Sequence, residues 1–216
     1  MAGTSESQQP TVFLVDDDEA IRDSLSFLLQ SVGIPCETFA SARDFLNAYN
    51  DDRPGCLVLD VRMPGMSGLE LQEALNERHS ILPIIFITGH GDVPMAVEAM
   101  QGGAADFLQK PFRDQDLLDR INEALARDAE NRRALEEHHD LQKRWDSLTN
   151  REQEVMELVV DGKPNKVVAY ELGVSQRTIE IHRARVMEKM QANSLAHLVR
   201  MAVMLRADTG EESEHH

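Results

Sequence analysis

The sequence predicts an α/β domain on a five-stranded, doubly wound parallel sheet, followed by an all-α domain of four helices that includes a helix-turn-helix. Three observations carry this. Across residues 11–127, short apolar runs alternate with helical patterns. Residues 128–146 are densely charged and contain neither Gly nor Pro. From Ser147 onward, capped helical segments follow one another closely.

The apolar runs are 12–15, 34–39, 56–59, 84–87 and Phe107-Leu108. Runs that are apolar on both faces and separated by helices describe parallel strands covered on both sides. The intervening helices repeat apolar residues at the helical period, as in Ile21, Leu25, Leu28 and Leu29 or Leu117, Leu118, Ile121 and Leu125. In such sheets the functional crevice lies beyond the carboxyl ends of the strands, so the residues just after each run matter most.

Residues 128–146 read as an exposed helical linker, with Leu135, Leu141 and Trp145 as a sparse apolar seam. Beyond it, Thr149 to Glu152 is a capping box: the hydroxyl accepts from the amide three residues on, and the glutamate reaches back. That helix runs to Asp161 and ends at Gly162. Pro164 opens the next, which stops at Gly173; Ser175 caps a third through Met190, and Ser194 caps a fourth through Arg206. The expected boundaries are 11–127 for the first domain, 128–146 for the linker, 147–208 for the second domain and 209–216 for an acidic, disordered tail.

A hydrophobic share of 42% with 28% charged residues suits compact folded domains. No apolar run approaches the roughly 18 residues that span a bilayer. The first ten residues are polar, unlike an export signal, so neither membrane nor secretion is expected. Cys36 and Cys56 lie in apolar stretches without metal-ligand spacing and read as reduced core residues of a cytoplasmic protein. The net charge of −16 opposes contact with nucleic acid, but it is unevenly spread. Residues 1–127 carry 21 acidic and 9 basic side chains, whereas residues 147–208 carry 8 and 9, so only the second domain can approach phosphate.

At the strand ends, Asp16, Asp17 and Asp18 follow the first run, Asp60 the third, Thr88-Gly89 the fourth and Lys110-Pro111 the fifth. Carboxylates converging above one sheet repel unless a cation intervenes. Mg2+ suits them, because it takes one or two carboxylates, a carbonyl, waters and a phosphate oxygen. An acceptor carboxylate, a metal, a hydroxyl and a lysine are together what stabilises a transferring phosphoryl group.

Val15-Asp16-Asp17-Asp18, the run from Leu59 to Gly65, Ile87-Thr88-Gly89 and the run from Phe107 to Phe112 occur in this order, and the region resembles response-regulator receiver domains with their flavodoxin-like fold. The resemblance implies that Asp60 is the phosphoacceptor. It also implies that Asp16, Asp17, Asp60 and the backbone carbonyl of Arg62 hold Mg2+, that Thr88 and Lys110 contact the phosphoryl group, and that Phe107 moves inward with Thr88 as a switch. A cis Lys110-Pro111 bond is usual in the family. In the family the side chain at the position of Arg62, two residues after the acceptor, often overhangs the site and can affect water entry.

In the second domain, a helical wheel places Ile179, Arg183, Val186 and Met190 on one side and Arg177, Ile181, Ala184 and Glu188 on the other, flanked by Glu180 and Arg185. An outward Ile and Ala beside arginines suit a recognition helix that meets thymine methyls and base edges, with Glu180 accepting from cytosine. Lys166 is expected on backbone phosphate. The segments from Leu148 to Val155, Asn165-Lys166, Arg177-Thr178-Ile179, His182-Arg183 and Lys189-Met190 resemble the LuxR-type helix-turn-helix. With the receiver and the run 91–97, the chain resembles a FixJ-type regulator of the NarL group. The resemblance implies DNA contacts from Lys166, Arg177, Thr178, Glu180, Ile181, Arg183, Ala184 and Arg185.

Other functions leave traces that are missing here. A haloacid-dehalogenase-type enzyme needs an acid two positions after its nucleophile, where this sequence has Arg62. A ligand-sensing LuxR regulator carries a small-molecule pocket in place of the aspartate site, and a receiver acting only through protein contacts would not bind DNA. Without a glycine-rich nucleotide loop the chain brings no ATP of its own. The expectation is a non-enzymatic transcription factor served by a sensor histidine kinase. It pairs into a homodimer on phosphorylation, binds double-stranded promoter DNA and meets RNA polymerase there.

Overall fold

The computed structural model describes residues 9–89 and 93–211, and the chain divides into two compact units between Arg132 and Arg133. In the first unit β1 (Thr11–Val15), β2 (Cys36–Phe39), β3 (Gly55–Asp60), β4 (Ile84–Thr88) and β5 (Asp106–Gln109) form one parallel sheet in the order β2-β1-β3-β4-β5. The connecting helices are α1 (Glu19–Ser31), α2 (Ala42–Ala48), α3 (Gly68–Glu77) and α4 (Val93–Gln101), and α5 (Asp114–Asp146) follows β5.

Side chains along a strand alternate between faces. Phe13, Leu57, Leu59 and Phe86 therefore pack with Phe45, Leu71 and Leu75 in one core cluster, and Val12, Leu14, Val58 and Ile85 pack with Leu25, Leu29, Leu117 and Ile121 in the other. The stripes read from the first and fifth helices do face the sheet. Cys56 is buried and Cys36 half-buried, both free, and burial pushes the Cys36 thiol up to about 11.

The second unit packs α6 (Asn150–Val160), α7 (Asn165–Glu171), α8 (Gln176–Lys189) and α9 (Leu195–Glu211) around Val155, Met156, Val168, Ile179, Val186, Met190 and Leu198. The Thr149 capping box is present, and it has a partner that local sequence does not show. Glu152, 2% exposed, also accepts from Lys189 Nζ at 2.6 Å, which joins α8 to the start of α6. This lysine hydrogen bond, ahead of burial, holds the Glu152 carboxyl below its ordinary value. A depressed carboxylate contributes stability above its unfolded pKa of about 4.3 and loses it as pH falls through the folded value. Glu152→Gln should therefore cost the second unit about 1–2 kcal/mol at pH 7 and flatten the loss of stability below pH 4.3. Urea titrations at both pH values, read on the Trp145 fluorescence, check this.

Three expectations need correction. First, the boundary expected at 127 falls inside α5, and the first unit extends to Arg132. With no Gly or Pro to interrupt its hydrogen bonds the helix continues to Asp146, and Asp128 and Arg132 are built into the first unit. Second, residues 128–146 are not simply exposed, and Leu135, Leu141 and Trp145 do not form one seam. Leu141 is buried in the core of the second unit and Trp145 packs on it, while Leu135 stays exposed. Third, α9 runs past Thr209 to Glu211, into the expected tail. The rest of the tail, 212–216, lies outside the described residues, as do His90, Gly91 and Asp92 of the 91–97 run.

The end of α5 within the first unit is pinned by a buried charge. Asp128, 1% exposed, accepts from the Gly55 amide at 2.9 Å and from Arg132 Nε at 2.9 Å. Arg132 in turn donates to the carbonyls of Asp51 and Arg53 at 2.9 and 2.7 Å. Gly55 admits no side chain here, since a Cβ would lie 1.9 Å from the Thr11 carbonyl oxygen.

Candidate functional site

Because β1 and β3 are neighbours in register, with Val15 beside Leu59, the next residues Asp16 and Asp60 emerge side by side. Both are buried, at 1% and 7% exposure, while Asp17 is exposed. Lys110, just after β5, reaches between them: its Nζ donates to Asp16 Oδ2 at 2.8 Å and to Asp60 Oδ1 at 2.9 Å. The other Asp60 oxygen accepts from the Arg62 amide at 2.8 Å, and the other Asp16 oxygen from the Asp18 amide at 2.9 Å. Asp18 caps α1, its side chain accepting from the Ala20 amide.

Burial raises the Asp60 pKa, and the Asp16 charge adds to this, against the lowering effect of Lys110 and the Arg62 amide. For Lys110 burial acts downward, but the hydrogen bonds and charges of Asp16 and Asp60 outweigh it and hold the ammonium above its ordinary value. The result is a buried carboxylate poised beside a firmly charged lysine. Thr88 is buried at the end of β4, the Lys110-Pro111 peptide is cis, and Phe107 is half-buried against the core. Gly68 opens α3 directly over the site: a Cβ there would lie 2.3 Å from the Asp60 carbonyl oxygen.

The structure thus brings Asp16, Asp60 and Lys110 together, with the Arg62 backbone touching Asp60. Among the described residues no cluster of three or more His, Cys, Asp and Glu side chains closes around a metal position. The donor set still fits Mg2+, because its hard carboxylate oxygens sit at the rim beside the exposed Asp17, and this ion keeps waters instead of demanding an all-protein cage. One participant was missed from sequence: Arg22 of α1 donates to the Asp16 carbonyl at 2.7 Å. No spacing rule selects it, since the contact depends on how α1 returns over the sheet.

In the second unit α7 and α8 form the helix-turn-helix. Gly173 turns the chain with φ of +66°, which suits glycine, and Ser175 Oγ accepts from the Thr178 amide to start α8. Arg177, Glu180, Ile181, Ala184 and Arg185 are all exposed on α8, and Lys166 is exposed on α7. Ile181 is 46% exposed, unusual for an aliphatic side chain on an otherwise charged helix face. Two of the expected contacts sit differently. Thr178 Oγ1 lies 2.8 Å from Ser175 Oγ, and half-buried Arg183 donates to Asn165 Oδ1 at 2.6 Å, tying α8 to α7.

Comparison with known proteins agrees with this geometry. Residues 12–122 match the model of the response regulator receiver domain, and residues 146–202 match that of the bacterial regulatory proteins of the luxR family. The chain is 50% identical over 202 residues to Nodulation protein W of Bradyrhizobium diazoefficiens, covering 94% of this chain and 89% of that one. It is also 50% identical over 193 residues to the transcriptional regulatory protein FixJ of Azorhizobium caulinodans, covering 89% and 92%. Among solved structures it is similar to the response regulator StyR, with 49% identity, a TM-score of 0.84, and 90% and 98% of the two chains covered. Full-length FixJ from B. japonicum is similar at 45% identity and a TM-score of 0.57 over 93% and 99%. No helix among the described residues is long and apolar enough to cross a membrane. The chain belongs to the FixJ/NarL-type response regulators, transcription regulators rather than enzymes, in which a receiver domain is joined to a LuxR-type helix-turn-helix DNA-binding domain.

Proposed function

We propose that this chain acts in the cytoplasm, that its Asp60 accepts a phosphoryl group from a histidine of a sensor kinase, and that this change controls pairing of the chain on promoter DNA. The observation that carries the reading is the placement of Asp60: buried at the end of β3, beside Asp16, with Lys110 Nζ 2.9 Å away. An Asp60 carboxylate oxygen forms the new bond to phosphorus as the bond to the kinase imidazole breaks. The Lys110 ammonium and the Thr88 hydroxyl take up charge on the phosphoryl oxygens. Asp16, Asp17, Asp60 and the Arg62 carbonyl would hold Mg2+, which when bound neutralises phosphoryl charge. As Thr88 is drawn toward the phosphoryl group, Phe107 moves inward and reshapes the face of α4 and β5.

That face supports the dimer reading, because Val93, Val97 and Met100 of α4 are exposed apolar residues. Pairing raises the effective concentration of the second DNA domain over its half-site. Light scattering with and without beryllofluoride and Mg2+ tests it. The mass of the wild type should double while that of Asp60→Asn stays unchanged, and an unchanged mass in both would overturn phosphorylation-driven pairing.

On DNA, Arg177, Glu180, Ile181, Ala184 and Arg185 of α8 meet the major groove and its phosphates. Lys166 takes backbone phosphate, and Thr178 and Arg183 enter from the edge while bracing the turn. RNA polymerase is the further partner at the promoter. Arg177→Ala should weaken specific binding about tenfold, within the 1–3 kcal/mol of a base contact, and Lys166→Ala should weaken all sequences alike and reduce the salt slope by about one. Fluorescence anisotropy across a salt series separates the two.

A further inference from the structure

The three aspartates that follow β1 are held in unequal ways. Asp16 is buried, and its two carboxylate oxygens accept from Lys110 Nζ at 2.8 Å and from the Asp18 amide at 2.9 Å. Asp18 caps α1, accepting from the Ala20 amide at 2.9 Å. Asp17 lies between them and is exposed, and among the described residues its carboxylate makes no hydrogen bond or ion pair. The direction of the Asp17 side chain therefore depends on the backbone that carries it.

Arg22 braces that backbone. Half-buried and four residues past the Asp18 cap, it donates from Nη1 to the Asp16 carbonyl oxygen at 2.7 Å. Asp18, Glu19 and Asp23 are close along the chain, yet among the described residues the guanidinium forms no ion pair with any of them. A hydrogen bond from a charged donor is roughly twice as strong as one between neutral groups. The carbonyl that Arg22 holds belongs to the planar peptide joining Asp16 to Asp17, so fixing it fixes one side of Asp17. The Asp16-to-Asp18 hydrogen bond and the Asp18 cap fix the other side.

Charge alone gives Arg22 the opposite effect on this site, because a fixed cation repels a second cation. The two effects of the side chain, orientation and repulsion, therefore differ in sign and can be told apart by measurement. Groups that orient a metal ligand without touching the ion typically carry a large share of the affinity.

We propose that Arg22 is a positioning residue for the divalent cation: by holding the Asp16 carbonyl it keeps the Asp17 carboxylate in the direction that metal binding needs, and this gain exceeds the repulsion between the two cations. The inference rests on the reading of Asp16, Asp17 and Asp60 as metal-holding groups. It gives α1 a part in the phosphoacceptor site that no residue at a strand end supplies.

Electron paramagnetic resonance of free Mn2+, titrated with the full chain and then competed with Mg2+, tests this. Wild type should bind Mn2+ and release it to Mg2+, and Asp17→Asn should lose most of the binding. Arg22→Met keeps the apolar stem and removes both donor and charge. It should weaken Mn2+ binding about tenfold, with the metal-free melting temperature near that of wild type. Arg22→Lys, which keeps the charge without the planar fork, should fall between the two. A folded Arg22→Met that binds as tightly as wild type, or more tightly, overturns the role of Arg22 and leaves the metal site standing. If the Met variant does not fold, Arg22→Lys decides, and wild-type affinity there overturns the role. A wild type that takes up no Mn2+, or an Asp17→Asn variant that binds it unchanged, overturns the metal-site reading and this inference with it.

Discussion

Asp60→Asn should abolish phosphoryl incorporation from acetyl phosphate, with a loss of about a thousandfold or more, because the substitution removes the nucleophile itself. The variant should remain folded. Burial raises the Asp60 pKa, so the folded chain binds a proton there more readily than the unfolded one, and its stability declines as pH rises through that value. A neutral Asn escapes that penalty while Lys110 keeps its 2.8 Å contact to Asp16. The melting temperature at neutral pH should therefore match or exceed that of wild type. Intact-mass measurement after exposure to acetyl phosphate and Mg2+ counts the added phosphoryl group directly. Incorporation in the Asn variant at the wild-type level would refute the acceptor assignment, and the melt shows whether a loss reflects chemistry or misfolding. Lys110→Ala gives a second arm: it leaves two buried carboxylates side by side without their cation, so phosphorylation should fall and the Asp60 pKa should rise further.

The second large effect is structural. Removing Asp128 leaves the Gly55 amide unsatisfied in the interior and Arg132 without its carboxylate, and breaking a buried pair from one side typically costs about 3–5 kcal/mol. Asp128→Ala should destabilise the receiver by that order, and Asp128→Asn by less, since the amide oxygen can still accept from Gly55. Hydrogen exchange over residues 51–58 reads this locally: the Gly55 amide should exchange far faster in Asp128→Ala than in wild type. The second unit, whose core does not include this pair, should keep its wild-type exchange. Wild-type protection at Gly55 in the Ala variant would show that the pair contributes little and that the packing of Leu117, Ile121 and Ala124 holds the helix alone.

Where sequence reading succeeded, the determining interaction is short-range or periodic. The Ser175 cap, the Thr149–Glu152 box and the apolar stripes of the first and fifth helices involve residues within one or two turns, so their spacing states their geometry. The run of charged residues after 127 was harder. Its helical character was legible, but whether its apolar residues are exposed depends on what packs on them, and Leu141 and Trp145 find α6 to α9 while Leu135 finds solvent. Thr178 and Arg183 show the same limit on a smaller scale, because a helical wheel gives the direction of a side chain and not the Asn165 that meets it.

By itself, the sequence determined the two fold classes, the order of strands and helices, the helix caps, and the set of acidic, hydroxyl and lysine residues at the strand ends that mark a receiver. Only the tertiary structure decided which of those groups touch. Lys110 pairs with Asp16 across 94 positions, Asp128 with Gly55 across 73 and Lys189 with Glu152 across 37. Such contacts follow from the crossing of strands and the return of helices over the sheet, and burial then sets their strength by removing the water that would otherwise screen them.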